Sequence, residues 1–215
     1  QDPIVTDLAS IKGWVVERAG VPYARYVPGH PIAGSENSGV AAADADLFQG
    51  REAILTPLEN TDPAAVEMVR AMWIRVGSRV TDMSVADHDA ALAASSHSPH
   101  MIAYALTRAL ATDPLSPMKH GGGALRDMTR IAGSDPVMWR DVALTHRDAV
   151  MAALANVQLE LAALKKLIAE EDAAGLQHYF TFCRQERRRH DGVLNPLIDG
   201  SEVAASQDSQ EESKR

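Results

Sequence analysis

The sequence predicts part of a parallel α/β sheet followed by an all-helical region, so that the chain is mainly α overall. Three observations predict it. Short apolar runs alternate with helical stretches up to residue 83, and strand patterns then cease. Hydrophobic residues make up 46% of the chain and aromatics only 5%, a balance that suits helices packed through short side chains better than a β-sandwich. A 4-3 apolar repeat runs through the segment from His146 to Asp172.

Taken in order, Ile4 to Leu8 is a short apolar run that leads to Asp7 and Ser10. Ile11 to Ala19 has a helical pattern that stops at Gly20, a residue suited to a helix end. Ala24 to Val27 reads as a second strand. Pro28 to Gly50 is rich in Gly, Ser, Asn and Ala and reads as a long irregular loop, the kind of segment that often carries function. Glu52 to Thr56 is a third strand, closed by Pro57. Thr61-Asp62-Pro63 caps a helix running to about Val76, with proline suited to the first turn. Ser78 to Met83 is a fourth strand, and strand, helix, strand at this spacing reads as a parallel crossover. Ser84 can cap a helix from Val85, and the chain to about Asp191 reads as helix broken by short loops. The apolar positions Val150, Leu154, Val157, Leu161, Leu164 and Ile168 form a heptad-like seam, either inside a bundle or at a subunit interface. From about Gly200 the tail holds nothing to bury and reads as disordered.

The bulk properties narrow the function. At 215 residues the chain suits one large domain or two small ones. Its net charge of −8, from 21 basic and 29 acidic residues, argues against a general nucleic-acid or anionic-membrane surface, while a pocket of opposite local sign can still take a small anion. Cys183 stands alone, so neither a disulfide framework nor a thiolate metal cluster can form within one chain, and a reducing cytoplasm is the natural setting. No apolar run reaches the roughly 20 residues needed to span a bilayer, and no signal peptide is read.

Three clusters could carry chemistry. In Gly29-His30-Pro31-Ile32-Ala33-Gly34-Ser35-Glu36-Asn37-Ser38-Gly39, Pro31 pushes His30 into extended geometry, where a ring at a strand end can point into a cleft. On spacing alone His30 also reads as an ordinary loop histidine. In Ser95-Ser96-His97-Ser98-Pro99-His100 the two histidines are three apart, with Asp87, His88 and Asp89 upstream. A metal site is one reading, but no HExxH is present and Pro99 disturbs the spacing, so hydrogen bonding to a polar substrate is preferred and no metal is assigned. Third, Gly121-Gly122-Gly123 precedes Arg126, Asp127 and Arg130, then Ser134-Asp135-Pro136-Val137-Met138-Trp139-Arg140-Asp141. A glycine run before a helix can offer N–H groups to an anion, and Asp127 and Arg130 are spaced as helical neighbours, though a surface ion pair reads equally from that spacing. Trp139 by the same standard reads as core.

In this order, TDLASIK, GHPIAGSENSG, LTP, SHSPH and GGGALRDMTRIAGSDPVMWRD closely resemble the prephenate/arogenate (cyclohexadienyl) dehydrogenases, from about Val5 to Leu167. The resemblance implies the C-terminal part of a Rossmann-type nicotinamide-binding domain over residues 1–83, a helical dimerisation and substrate domain over 84–198, and a polar tail over 199–215. It implies oxidative decarboxylation of prephenate, and of arogenate as a further substrate, in tyrosine biosynthesis, with hydride passing to NAD or NADP. His30 would be the catalytic base and Ser10 would support it and the nicotinamide edge, with Asp7 beside the cofactor. Arg130 would clamp a substrate carboxylate, and His100, Ser96, Glu36, Asp127, Trp139 and Ser35 match positions around the substrate pocket. A homodimer through the helical domain is implied. No G-x-G-x-x-G occurs, so the chain is expected to begin late in the nucleotide-binding domain and to be weak or silent as an enzyme by itself. A non-catalytic helical dimerisation or ligand-binding module is the competing reading.

Overall fold

The structure, a computed structural model, describes residues 2–19, 23–34 and 39–194. The expected Ser35 and Glu36 and the polar tail lie outside the described residues. The elements run β1 (Val5–Thr6), α1 (Lys12–Ala19), β2 (Tyr26–Val27), β3 (Gly29–Pro31), β4 (Glu52–Leu55), α2 (Pro63–Arg75), β5 (Arg79–Asp82), α3 (Val85–Leu92), α4 (Ser98–Ala111), α5 (Gly123–Thr129), α6 (Pro136–Thr145), α7 (Arg147–Ala169), α8 (Ala173–Arg189) and α9 (Asp191–Leu194). They fall into two compact units, residues 1–157 and 158–215. Among the described residues no helix is long and apolar enough to cross a membrane.

The strands are not one parallel sheet. β1 and β2 form a parallel pair, while β3, β4 and β5 form a second sheet in that order. β4 pairs with β5 in parallel, as its crossover through α2 requires, but β3 pairs with β4 antiparallel, with His30 opposite Ile54. The expected irregular loop therefore begins with a strand, because the chain turns back after Pro31 and returns to the same ladder at Glu52. The Ile32 N–H extends that ladder by donating to the Glu52 carbonyl, 2.7 Å away.

Local chemistry sets the helix starts. Asp62 accepts the Ala64 N–H at the start of α2 with proline in the first turn, and Ser84 accepts the Asp87 N–H at the start of α3. Asp135 takes two N–H groups, from Val137 and Met138, at the start of α6. Between α3 and α4 the chain makes a π turn, Ala93–His97, a wider coil that the apolar pattern did not foretell. Pro99 falls in the first turn of α4, where proline is tolerated.

In the first unit, Val27, Ala53, Leu55, Ala65, Val66, Val69 and Trp73 make a core between the sheets and α2. A second core joins Ile11, just before α1, to Trp139 and Val142 of α6. That cluster ties the strand-bearing segment to the helices after residue 83, so the site below lies within one unit. Along α7 only Val150 of the seam is buried, whereas Leu161 is 54% and Ile168 57% exposed.

Candidate active site

His30 sits in the middle of β3, partly buried, with buried Gly29 and Pro31 on either side. Gly29 has a local reason to be glycine: a Cβ there would press on the Asp7 carbonyl at 3.2 Å and on the Thr6 hydroxyl at 3.3 Å. The end of β1 can therefore lie against the strand that carries His30.

His30 lines a cavity of about 510 Å³ together with Ser96, His100, Arg130 and Trp139. Two elements bring these residues in. The π turn and the start of α4 place Ser96 and His100 on the wall, and the His100 Nδ1 lies 2.9 Å from the Ser96 carbonyl. The His100 ring stacks on Trp139, with centroids 3.6 Å apart and planes 21° from parallel. His97 does not share this wall. It is buried, with its Nδ1 2.8 Å from the His146 Nδ1. Arg130 starts a 3-10 segment after α5 and lines the same cavity.

Other expected site residues lie elsewhere. Asp127 is exposed, accepts from Arg126 at 3.2 Å and is not among the described residues on the cavity wall. The triple glycine does not line the cavity, and α5 behind it has only seven residues. Ser10 is half-buried just before α1 and is not on the cavity wall. Asp7 accepts the Tyr26 hydroxyl at 2.7 Å, the Ala9 N–H at 2.8 Å and the Lys12 ammonium.

Sequence reasoning missed four participants. Arg51, immediately before β4, lines the cavity beside Ile32 and Ala33. Lys12 is fully buried, donating to Asp7 and to the Gly29 carbonyl. His88 is also fully buried, with its Nε2 2.9 Å from the His30 Nδ1 and its Nδ1 2.8 Å from the Asp89 Oδ1. Lys12 could have been found as the last residue of TDLASIK, and the His-Asp pair stood in the sequence next to the rejected metal reading. Among the described residues no group of three or more His, Cys, Asp or Glu is arranged to hold a metal.

Burial controls the electrostatics. It pushes the His30 pKa down to about 3, with help from His88 and Lys12, so the ring is neutral rather than half-charged near pH 6.5. Burial also lowers His97 to about 4 and lowers His100 and His146. The Lys12 ammonium is pulled down by burial, against the support of Asp7 and Asp89. The cavity thus presents neutral imidazoles between two guanidinium groups. Among the described lining residues the one carboxylate is Asp135, and its Oδ1 is committed to the α6 cap.

Two domain models of one protein family match this chain: the nucleotide-binding domain of prephenate dehydrogenase over residues 1–82 and its dimerization domain over residues 84–182. The chain belongs to the prephenate dehydrogenase family. It is 34% identical to a cyclohexadienyl dehydrogenase of Zymomonas mobilis, over 87% of this chain and 66% of that protein. It is 36% identical to a prephenate dehydrogenase of Bacillus subtilis, over 86% of this chain and 51% of that protein. The crystal structure of an Aquifex aeolicus prephenate dehydrogenase with hydroxyphenyl propionate and NAD+ is similar at a TM-score of 0.81 and 38% identity, over 86% of this chain and 66% of that one. The chain thus spans between about half and two thirds of the length of these relatives.

Proposed function

We propose that this chain carries the substrate pocket and proton acceptor of a prephenate dehydrogenase of tyrosine biosynthesis. His30 takes the proton of the ring hydroxyl. The electron pair left on oxygen forms the carbonyl and expels hydride from the carbinol carbon. The ring carboxylate then leaves as carbon dioxide, its bonding electrons make the ring aromatic, and the phenolic oxygen recovers a proton from His30. Arg130 clamps a carboxylate through its planar fork, and Trp139 backed by His100 bounds the ring. The observation that carries this reading is that His30, from the segment matched by the nucleotide-binding model, and Arg130, from the segment matched by the dimerization model, line one cavity. Its volume is within the range of small-molecule sites.

A nicotinamide cofactor supplies the hydride acceptor when bound, and NAD is the form assigned. The residues present fit its reactive end: the carboxyl ends of the parallel strands β1 and β2, where such ligands bind, lead directly to Asp7, Ser10 and the His30 strand. Ser10 would border the nicotinamide there. No residue of this chain is assigned to the diphosphate.

Prephenate is favoured over arogenate because the described wall offers Arg51, Arg130 and neutral histidines, and Asp135, the carboxylate among the described lining residues, has its Oδ1 engaged in a helix cap. We assign a homodimer through the helical region. Its support is the exposed Leu161 and Ile168 of the α7 seam and the exposed Phe180 and Phe182 of α8, each more than half accessible.

The test is an assay of the full-length protein with prephenate and arogenate, NAD and NADP, beside His30→Asn. That variant is expected to keep KM within a few-fold and lose kcat by about 10²–10⁴-fold. Unchanged turnover in His30→Asn removes His30 from the chemistry. No turnover of either substrate by the parent protein, with the dimer intact, returns the chain to the binding-module reading.

A further inference from the structure

The hydrogen bonds behind His30 point away from the cavity and end on a carboxylate. Asp89, on α3, reaches across to the start of α1, where its Oδ1 accepts the Lys12 N–H and its Oδ2 accepts the Gly13 N–H, each at 2.8 Å. The approach is so close that a Cβ at Gly13 would lie 2.8 Å from the Asp89 Oδ2. Burial disfavours the Asp89 anion, but the bonds from His88, Lys12 and Gly13 outweigh it and hold the pKa below the ordinary carboxylate value. An ionised carboxylate can only accept.

That restriction passes along the chain one ring at a time. The His88 Nδ1, 2.8 Å from the Asp89 Oδ1, has to be the donor. In a neutral His88 the proton on Nδ1 leaves Nε2 as a lone pair. The His30 Nδ1, 2.9 Å from that Nε2, then has to donate to it. With its proton on Nδ1, His30 carries its lone pair on Nε2, the ring nitrogen not engaged by His88. We propose that Asp89 and His88 are positioning residues that fix His30 in its Nδ1–H tautomer, so that Nε2 is the atom that accepts the substrate proton. The proposal rests on the reading of His30 as the base.

The charged and titratable groups around His30 leave this arrangement intact. They include His88 on α3, Lys12 on α1, Asp7 after β1 and His97 in the π turn, with His100, Arg51 and Arg130 on the cavity wall. Lys12 is held by Asp7 and the Gly29 carbonyl. His97 is held by His146. Among the described residues, the ring bonded to the His30 Nδ1 is that of His88.

The decisive measurement is the ¹⁵N spectrum of histidine-labelled full-length protein near pH 7, with His30 assigned by loss of its signals in His30→Asn. The proposal expects a protonated Nδ1 and an unprotonated Nε2 on His30. A protonated Nε2 overturns it, whatever the variants do. In kinetics, Asp89→Asn is expected to lower kcat on the order of 10²–10³-fold with KM within about threefold, because the amide can present an N–H to His88 and reverse both tautomers. His88→Gln keeps an acceptor for the His30 Nδ1 and should retain more kcat than His88→Leu. Equal activity in those two variants contradicts the proposal. Turnover surviving in His30→Asn would sink the base reading itself. A protonated His30 Nε2 with His30→Asn inactive would sink only the tautomer assignment.

Discussion

Lowering the pH from 7 to 5 is expected to weaken the first unit by about 2 kcal/mol for each of its two most strongly shifted histidines. His30 falls from 6.5 to about 3 and His97 from 6.5 to about 4 in the folded chain. The folded values are depressed, so the unfolded chain binds the extra protons. Stability is therefore full above the unfolded value and is lost as pH falls below about 6.5 towards the folded values. At pH 5 the unfolded histidine is about 1.5 pKa units into its protonated range while both folded rings remain neutral, and 1.5 units at about 1.4 kcal/mol each give about 2 kcal/mol per ring. His100 and His146 are lowered too and add loss of the same sign. Carboxylates titrate mainly below this window, so histidines dominate it. The assay is urea unfolding followed by fluorescence, since Trp73 and Trp139 are both buried in the first unit. With a urea slope of about 2 kcal/mol per molar, the two rings alone move the midpoint down by about 2 M. A midpoint that moves by less than about 0.3 M between pH 7 and pH 5 would refute the claim that these rings are buried neutral.

Three other outcomes follow from the same geometry. Arg130→Ala should raise KM by about 10–100-fold, the worth of one charge-assisted carboxylate contact, and Arg130→Lys should recover only part because it loses the fork; an unchanged KM in steady-state kinetics would remove the clamp. The pH profile of kcat/KM should show no acid limb near 6.5, staying within about twofold between pH 7.5 and 5.5, because free-enzyme His30 is neutral throughout. A fall centred near 6.5 contradicts that. Glutamate at both Leu161 and Ile168 should raise the dimer dissociation constant by about 100-fold or more in sedimentation equilibrium, since each exposed apolar side chain would otherwise be buried on both sides of a symmetric contact. Unchanged association would move the interface off this seam.

What the sequence revealed was mostly local. Asp62-Pro63 and Ser84 mark helix starts by their own chemistry, and Ala53–Leu55 is an unbroken apolar run inside its strand, so each could be read in place. The strand Gly29–Pro31 was hidden because glycine and proline carry no strand signal and its partner lies more than 20 residues away. The antiparallel direction was hidden for the same reason. The site shows a similar division. His30, Ser96, His100, Arg130 and Trp139 were legible because their flanking residues form motifs, and they line one cavity. The link from Lys12 and Gly13 to Asp89 spans more than 70 residues and is made by backbone N–H groups, which leave no trace in side-chain spacing. Asp127 lies off the described cavity wall, its exposed carboxylate bonded to Arg126. His97 is taken up by His146 in the interior while His100 stacks on Trp139 at the cavity, a division made by partners distant in sequence.

The account stands on one imidazole and one guanidinium serving one small molecule. A crystal structure of the full-length protein with 4-hydroxyphenylpyruvate, the proposed product, tests this most directly. The account predicts the phenolic oxygen within hydrogen-bond distance of the His30 Nε2 and the carboxylate on the Arg130 guanidinium. A product bound with its phenol away from His30, or with its carboxylate on groups other than Arg130, would contradict it.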